Sequence, residues 1–144
     1  MRSRPLLVLA LVALASSLAT GLSAQQVTYI GANSASDTDA SPFSAAVMVG
    51  NTMYLSGVLG RGDTAEEAAR AALNSIQGTL EEAGMTMDDL VNVQVFAADL
   101  ADYAGFNTVY RSYFTREFPA RAFVGAGSLL ANARFEVVGI AARR

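Results

Sequence analysis

Arginine, carboxylate, hydroxyl and amide side chains, with the backbone, are the groups from which any chemistry in this chain must be built. The 144 residues contain no Cys, His or Trp, and all ten basic residues are arginines. A thiol nucleophile, a disulfide, a Ser-His-Asp triad and a lysine Schiff base are therefore excluded. A structural zinc site lacks both of its usual ligand types. We expect a protein that works without a metal or a cofactor.

The segment that ends in Arg121, together with Glu136 further along, has the clearest chemical potential. Pro119 ends a helix and leads into a strand, so Arg121 begins that strand on rigid backbone. A guanidinium binds a carboxylate through two parallel hydrogen bonds. Glu136 lies in an otherwise apolar strand, so its carboxylate must face solvent, pair with a cation or line a pocket. From spacing alone, a structural Arg121–Glu136 pair or two solvated residues at a sheet edge remain the alternative.

Six short apolar runs predict the strands that position these groups. They are Val27–Ile30, Ala45–Val49, Thr52–Val58, Leu90–Ala98, Ala122–Ala126 and Phe135–Ala141. The Gly50-Asn51 pair predicts a two-residue hairpin turn between the second and third runs. In the fourth run, alternation predicts that Val91, Val93 and Val95 share one face.

Two amphipathic helices are predicted between these strands. The first begins at a capping box of Thr64 and Glu67 and ends at Gly84. The second runs from Leu100 to Thr115, with Asp99 at its N-cap. This order predicts an α+β domain in which one mixed sheet carries two helices on one face. The other face is apolar, so we expect oligomerisation to bury it.

Residues 1–24 are predicted to be a signal peptide and residues 25–144 a single domain. Arg2 and Arg4 precede the apolar run Leu6–Ala15, and small residues follow as far as Ala24. This run is about half of the roughly 20 residues that a membrane-spanning helix needs. The prediction is an exported protein, periplasmic or secreted, with no membrane attachment after cleavage. An uncleaved N-terminal anchor is the alternative, and without a signal the protein would be cytoplasmic.

Charge argues against partners that carry many negative groups. Without the predicted signal peptide, eight arginines face thirteen acidic residues. A domain this acidic, with no basic run, is poorly suited to nucleic acid or to an anionic membrane. We therefore expect no nucleic-acid partner.

Five short motifs follow one another along residues 41–144. They are Ser41-Pro42-Phe43, Leu55-Ser56-Gly57, Asn107-x-x-Tyr110-x-x-Tyr113-Phe114, Pro119-Ala120-Arg121 and Phe135-Glu136-Val137. None is specific alone, but their order and separation together resemble the RidA (YjgF) family. The resemblance implies the fold of the Bacillus-type chorismate mutase, a homotrimer with ligand sites in clefts between subunits. It also implies that the strand after the first helix separates the two closing strands.

The resemblance implies a catalytic function as well: hydrolytic deamination of small enamines or imines such as 2-aminoacrylate, giving a 2-oxo acid and ammonia. Arg121 would bind the substrate carboxylate, and Glu136 would hold or protonate a water. The implied substrate-binding positions are Phe43, Gly57, Asn107, Arg121 and Phe123. Two of these have structural alternatives, since Gly57 could simply permit a turn or bulge and Asn107 could serve helix packing.

Three features depart from typical members of that family. Phe43 stands where many members have Tyr, and Phe123 where a small residue or Cys is usual, although its backbone N–H can still bind a carboxylate. The connection Val58–Asp63 is also short. Together these features predict a divergent pocket.

Two other functions remain to be weighed. The first alternative is a non-catalytic trimeric protein that binds small carboxylates through Arg121. A second one, ribonuclease activity reported for some relatives, fits poorly with the acidic domain.

Overall fold

The computed structural model describes residues 25–34 and 36–144, so the predicted signal peptide lies outside the described residues. The described chain forms a six-stranded sheet and two α-helices. The strands are β1 (Val27–Ile30), β2 (Ala46–Val49), β3 (Thr52–Gly60), β4 (Leu90–Ala97), β5 (Ala120–Gly125) and β6 (Phe135–Ala142); the helices are α1 (Ala65–Glu82) and α2 (Tyr103–Tyr110). No helix in this part of the chain is long and apolar enough to cross a membrane.

The sheet has the strand order β1-β2-β3-β6-β4-β5. Neighbouring strands are antiparallel except β4 and β5, which run parallel. The mixed α+β sheet predicted from the sequence is thus confirmed. So is the separation of the closing strands β5 and β6 by β4. The predicted hairpin joins β2 to β3, with Gly50 in the left-handed region at φ 58°.

The core lies between α1, α2 and one face of the sheet. Along β6, Phe135, Val137 and the alternate residues after them are buried, whereas those between them are only half-buried. From α1, Leu73 and Ile76 are 1% exposed. Burying a side chain of this size contributes about 1.5–3 kcal/mol. The helices therefore cover one face of the sheet and leave the other open.

The first helix forms as predicted. Thr64 Oγ1 accepts a hydrogen bond from the Glu67 N–H at 3.2 Å, and the Glu67 carboxylate accepts one from the Thr64 N–H at 3.3 Å. Gly84 follows the helix with φ 68°, a conformation that suits glycine. The capping box and the glycine stop are both confirmed.

The second helix is shorter than the predicted Leu100–Thr115. Its α-helical part is Tyr103–Tyr110, with single 3₁₀ turns at Leu100–Asp102 and Arg111–Tyr113. The predicted cap is confirmed, because the Asp99 carboxylate accepts a hydrogen bond from the Ala101 N–H at 2.8 Å.

A tertiary contact sets the end of this second helical region. The Asp88 carboxylate accepts hydrogen bonds from the backbone N–H of Thr115 at 2.9 Å and of Arg116 at 3.3 Å. These amides would otherwise continue the helix. Asp88 lies 27 residues away in sequence, so helical periodicity alone does not reveal the stop.

Two bulges alter the predicted faces of the strands. In β4, the register against β6 shifts between Leu90 and Asn92. Val91 is consequently turned outward and 44% exposed, so the prediction that it shares a face with Val93 and Val95 is wrong.

The second bulge is in β3, between Leu55 and Val58. It places Gly57 inside the strand, not at the strand end predicted from the sequence. The strand continues to Gly60 because Val58 and the two residues after it pair with β6. Half of the predicted connection Val58–Asp63 is therefore strand, which brings the start of α1 close to the sheet.

Candidate functional site

Arg121 lies on the helix-covered face of the sheet. It is paired with Val93 of β4, which is 1% exposed, and paired residues on neighbouring strands present their side chains on the same face. The Arg121 guanidinium carbon is 4.6 Å from the centroid of the Tyr110 ring. It is 5.8–5.9 Å from the rings of Tyr103, Phe106 and Phe123. Such cation–π contacts, worth about 0.5–1 kcal/mol each at exposed sites, hold the side chain against α2.

A cavity of about 190 Å³ opens beside this guanidinium. Its lining is Asn107, Tyr110, Arg111, Phe118, Pro119 and Arg121, with no acidic side chain. The salt bridge within the described residues joins Arg134 to Asp102. Neither Arg111 nor Arg121 takes part in it. The cavity is therefore positively charged and suited to an anionic ligand.

Tyr110 also carries a polar group that is closed off from solvent. Tyr110 is only 4% exposed, and its hydroxyl has no hydrogen-bond partner among the described residues. Burial raises the pKa of Tyr110 to about 12, against the opposing effect of the Arg121 charge. The hydroxyl is therefore protonated at neutral pH and can donate a hydrogen bond.

Glu136 lies on the open face of the sheet. On β6 it is paired with Leu59 and Phe96, and its buried neighbours Phe135 and Val137 point toward the helices. The Glu136 carboxyl group occupies the space above Gly57, where a Cβ atom would overlap a carboxylate oxygen. Gly57 thus permits both the bulge and the close approach of the Glu136 side chain to the backbone of β3.

The predicted site residues form two groups on opposite faces of one chain. Asn107, Arg121 and Phe123 lie together on the helix-covered face. Gly57 and Glu136 lie together on the open face. An Arg121–Glu136 ion pair within one chain, the alternative left open by spacing, is excluded by this arrangement.

Phe43 is apart from the Arg121 group. Its side chain is 56% exposed and lines a separate depression of about 390 Å³ in the loop before β2. The Ser56 hydroxyl donates a hydrogen bond to the Ser44 carbonyl at 2.7 Å. This bond ties the segment after Phe43 to β3 beside Gly57.

Phe123 supports the arginine from below. Its ring packs edge-on against Tyr103 at 5.0 Å and Phe106 at 5.5 Å, and against Phe135 of the core at 6.2 Å. A small residue here would leave that space empty. Phe123 therefore links the Arg121 group to the core, and its ring supports the Arg121 guanidinium.

The sequence analysis missed Arg111 and Phe118 as cavity residues. Asn107, Tyr110 and Arg111 stand at positions i, i+3 and i+4, which places them on one side of a helical turn. That spacing was visible in the sequence and would have linked them. Among residues 25–34 and 36–144, no three acidic groups gather closely enough to hold a metal ion.

Comparison with known proteins identifies the family. The family described as Endoribonuclease L-PSP matches residues 34–143. A 2-iminobutanoate/2-iminopropanoate deaminase of Dermatophagoides farinae is 36% identical over 107 residues, which are 69% of this chain and 84% of the relative. The Bos taurus protein of the same name is 38% identical over 109 residues, 69% of this chain and 79% of the relative.

Solved structures agree with this result. The Escherichia coli YjgF gene product superposes with a TM-score of 0.72 at 28% identity, covering 81% of this chain and 100% of that one. A YjgF family member from Neisseria meningitidis gives 0.74 at 27% identity, covering 85% and 98%. The fold and these matches together show that the chain belongs to the YjgF/RidA family.

Proposed function

We propose that this protein hydrolyses small enamines and imines, such as 2-aminoacrylate and its imine tautomer, to a 2-oxo acid and ammonia. Relatives named imine deaminases support the reaction type. The observation that carries the proposal is the Arg121 guanidinium. It is held against aromatic rings at a cavity in which no acidic side chain competes for it.

The proposed mechanism uses residues that the chain possesses. Arg121 binds the substrate carboxylate through two hydrogen bonds and so fixes the position of the adjacent C=N carbon. A water adds to that carbon while Glu136 accepts its proton. Glu136 passes that proton to the nitrogen, which gives a neutral carbinolamine. The carbinolamine then collapses to the C=O product as its hydroxyl proton moves, again through Glu136, to the nitrogen and ammonia leaves. One water is consumed, and no electron is gained or lost.

A substrate that contacts both Arg121 and Glu136 needs two copies of the chain, because one copy presents them on opposite faces of the sheet. We therefore propose a homotrimer with its sites between subunits. The open face supports association, since Tyr29 is 61% exposed and Tyr54 is 50% exposed. Each site would combine the Arg121 group of one subunit with the Gly57–Glu136 group of the next.

Export remains a proposal that rests on the N-terminal sequence. The protein isolated from an envelope fraction should begin between Thr20 and Gln25. N-terminal sequencing that finds an intact Met1 would overturn the signal-peptide proposal.

Ammonia release from enzymatically generated 2-aminoacrylate tests the proposed reaction. The purified protein should raise the rate well above the buffer reaction. A protein that binds 2-oxobutanoate without accelerating ammonia release would instead be the non-catalytic carboxylate-binding alternative.

A further inference from the structure

The Arg121 cavity contains a second arginine that the reaction does not use. Arg111 lies in the 3₁₀ turn after α2, and its guanidinium carbon is 5.6 Å from the centroid of the Phe118 ring. Phe118 in turn stacks on Tyr110 at 6.2 Å between ring centroids. The Tyr110 ring also contacts the Arg121 guanidinium. Each of the two stacked rings therefore contacts one of the two guanidiniums that line the cavity.

No described acidic group neutralises this pair. Arg111 forms no ion pair within residues 25–34 and 36–144, and the cavity lining contains no Asp or Glu. Glu117, the acid nearest to the cavity in sequence, is exposed to solvent. What distinguishes Arg111 and Arg121 is that both line one cavity, whereas the arginine that has an acidic partner, Arg134, lies outside it. A single carboxylate bound at Arg121 would leave the Arg111 guanidinium without a carboxylate partner on the ligand.

We infer that the Arg111–Tyr110–Arg121 cavity accepts a dicarboxylate: Arg121 binds the carboxylate next to the reacting carbon, and Arg111 binds a second carboxylate on the substrate side chain. This inference rests on the proposed function and narrows its substrate class to 2-imino acids with four or five carbons and a terminal carboxylate. The Asn107 amide is a neutral donor in the same lining.

The cavity size fits this class. At about 190 Å³, it is smaller than the roughly 300 Å³ at which pockets for drug-sized ligands begin. A compact dianion with two planar carboxylates matches two planar guanidiniums.

Isothermal titration calorimetry with the stable 2-oxo acids tests the inference without turnover. The protein should bind 2-oxoglutarate on the order of 10-fold more tightly than 2-oxobutanoate, because the second carboxylate gains a charge-assisted bond. Arg111→Gln should remove this preference, while Arg121 still binds the first carboxylate. Because Arg111 is exposed, the preference should also decrease as salt is added.

Arg116→Gln is the matched control. Arg116 is also exposed, and its replacement by Gln removes the same formal charge, but Arg116 does not line the cavity. It should leave the preference for dicarboxylates intact. Equal losses in the two variants would mean that only net charge attracts the ligand, and the inference would be overturned.

Ammonia release separates this inference from the proposed function. If the protein deaminates monocarboxylate imines and shows no preference for dicarboxylates, the proposed reaction is supported and the dicarboxylate site is overturned. If dicarboxylates bind in an Arg111-dependent manner but no imine is hydrolysed, the dicarboxylate site is supported and the proposed reaction is overturned.

Discussion

Arg121 and Glu136 lie on opposite faces of the same sheet, on strands β5 and β6 that β4 separates. Arg121 is aligned with Val93 on the face under the helices, and Glu136 with Phe96 on the open face. Neither side chain can therefore neutralise the other within one chain. Each is left available for a ligand or for another copy, and the predictions below follow from this arrangement.

Replacement of Arg121 should affect the reaction more than the fold. Arg121→Ala removes a charge-assisted, two-bond contact and should reduce ammonia release on the order of 100-fold or more. Arg121→Lys should rescue little, because a point charge does not reproduce the planar guanidinium. Circular dichroism melts beside the ammonia assay check both effects. Unchanged turnover in Arg121→Ala would contradict the proposed mechanism.

Gly57→Ala should displace the carboxylate of Glu136. The added Cβ overlaps a Glu136 oxygen, so we expect turnover to fall on the order of 10-fold or more, as for a misplaced general base. Gly78→Ala is the control. No atom lies within 4 Å of a Cβ at that α1 position, so stability should rise by about 0.5–1 kcal/mol and turnover should not change. Chemical denaturation and initial rates measure the two outcomes.

Tyr110→Phe should separate stability from ligand binding. The hydroxyl is buried without a partner in the described residues, so its removal should leave the free energy of unfolding unchanged or raise it by up to about 1 kcal/mol. Ligand affinity should be retained, because a Phe ring keeps the contact with the Arg121 guanidinium. Urea titration and calorimetry test the pair of effects. A clear loss of stability would show that the hydroxyl is hydrogen-bonded in the assembled protein.

The lowered pKa of Asp88 predicts that the folded protein loses stability at low pH. Hydrogen bonds, above all from the Thr115 hydroxyl and then from its backbone N–H, lower the pKa of Asp88 below its ordinary 3.8. The stabilisation is complete above the unfolded-state pKa and is lost as the pH falls through the lower folded-state pKa. Asp88→Asn should reduce this loss below about pH 4. Glu82→Gln, at an exposed α1 position, should retain the wild-type profile in thermal melts from pH 7 to 3.

The open face should hold subunits together. Light scattering of the purified protein at micromolar concentration should report a trimer. Val138→Asp places a charge on the open face of β6 and should yield monomers that have lost turnover. Ser75→Asp changes an exposed position of α1 and should remain trimeric. A stable monomer of the unmodified protein would contradict the composite site.

Local features of the sequence were sufficient to predict most of the elements. The capping box of Thr64 and Glu67, the Gly50 turn and the apolar runs depend on neighbours within a few residues, so they can be recognised without a fold. Arg121 and Glu136 were also identified as candidates, from residue type and from the resemblance of the surrounding motifs.

Tertiary structure decided what the sequence left open, because the face on which a strand residue lies depends on partner and register. One extra residue at each bulge reversed the position of Val91 and placed Gly57 under Glu136. The contact of Asp88 with Thr115 ended the second helical region early. Strand pairing placed Arg121 and Glu136 on opposite faces, because pairing across β4 is a long-range contact that spacing along the chain does not encode.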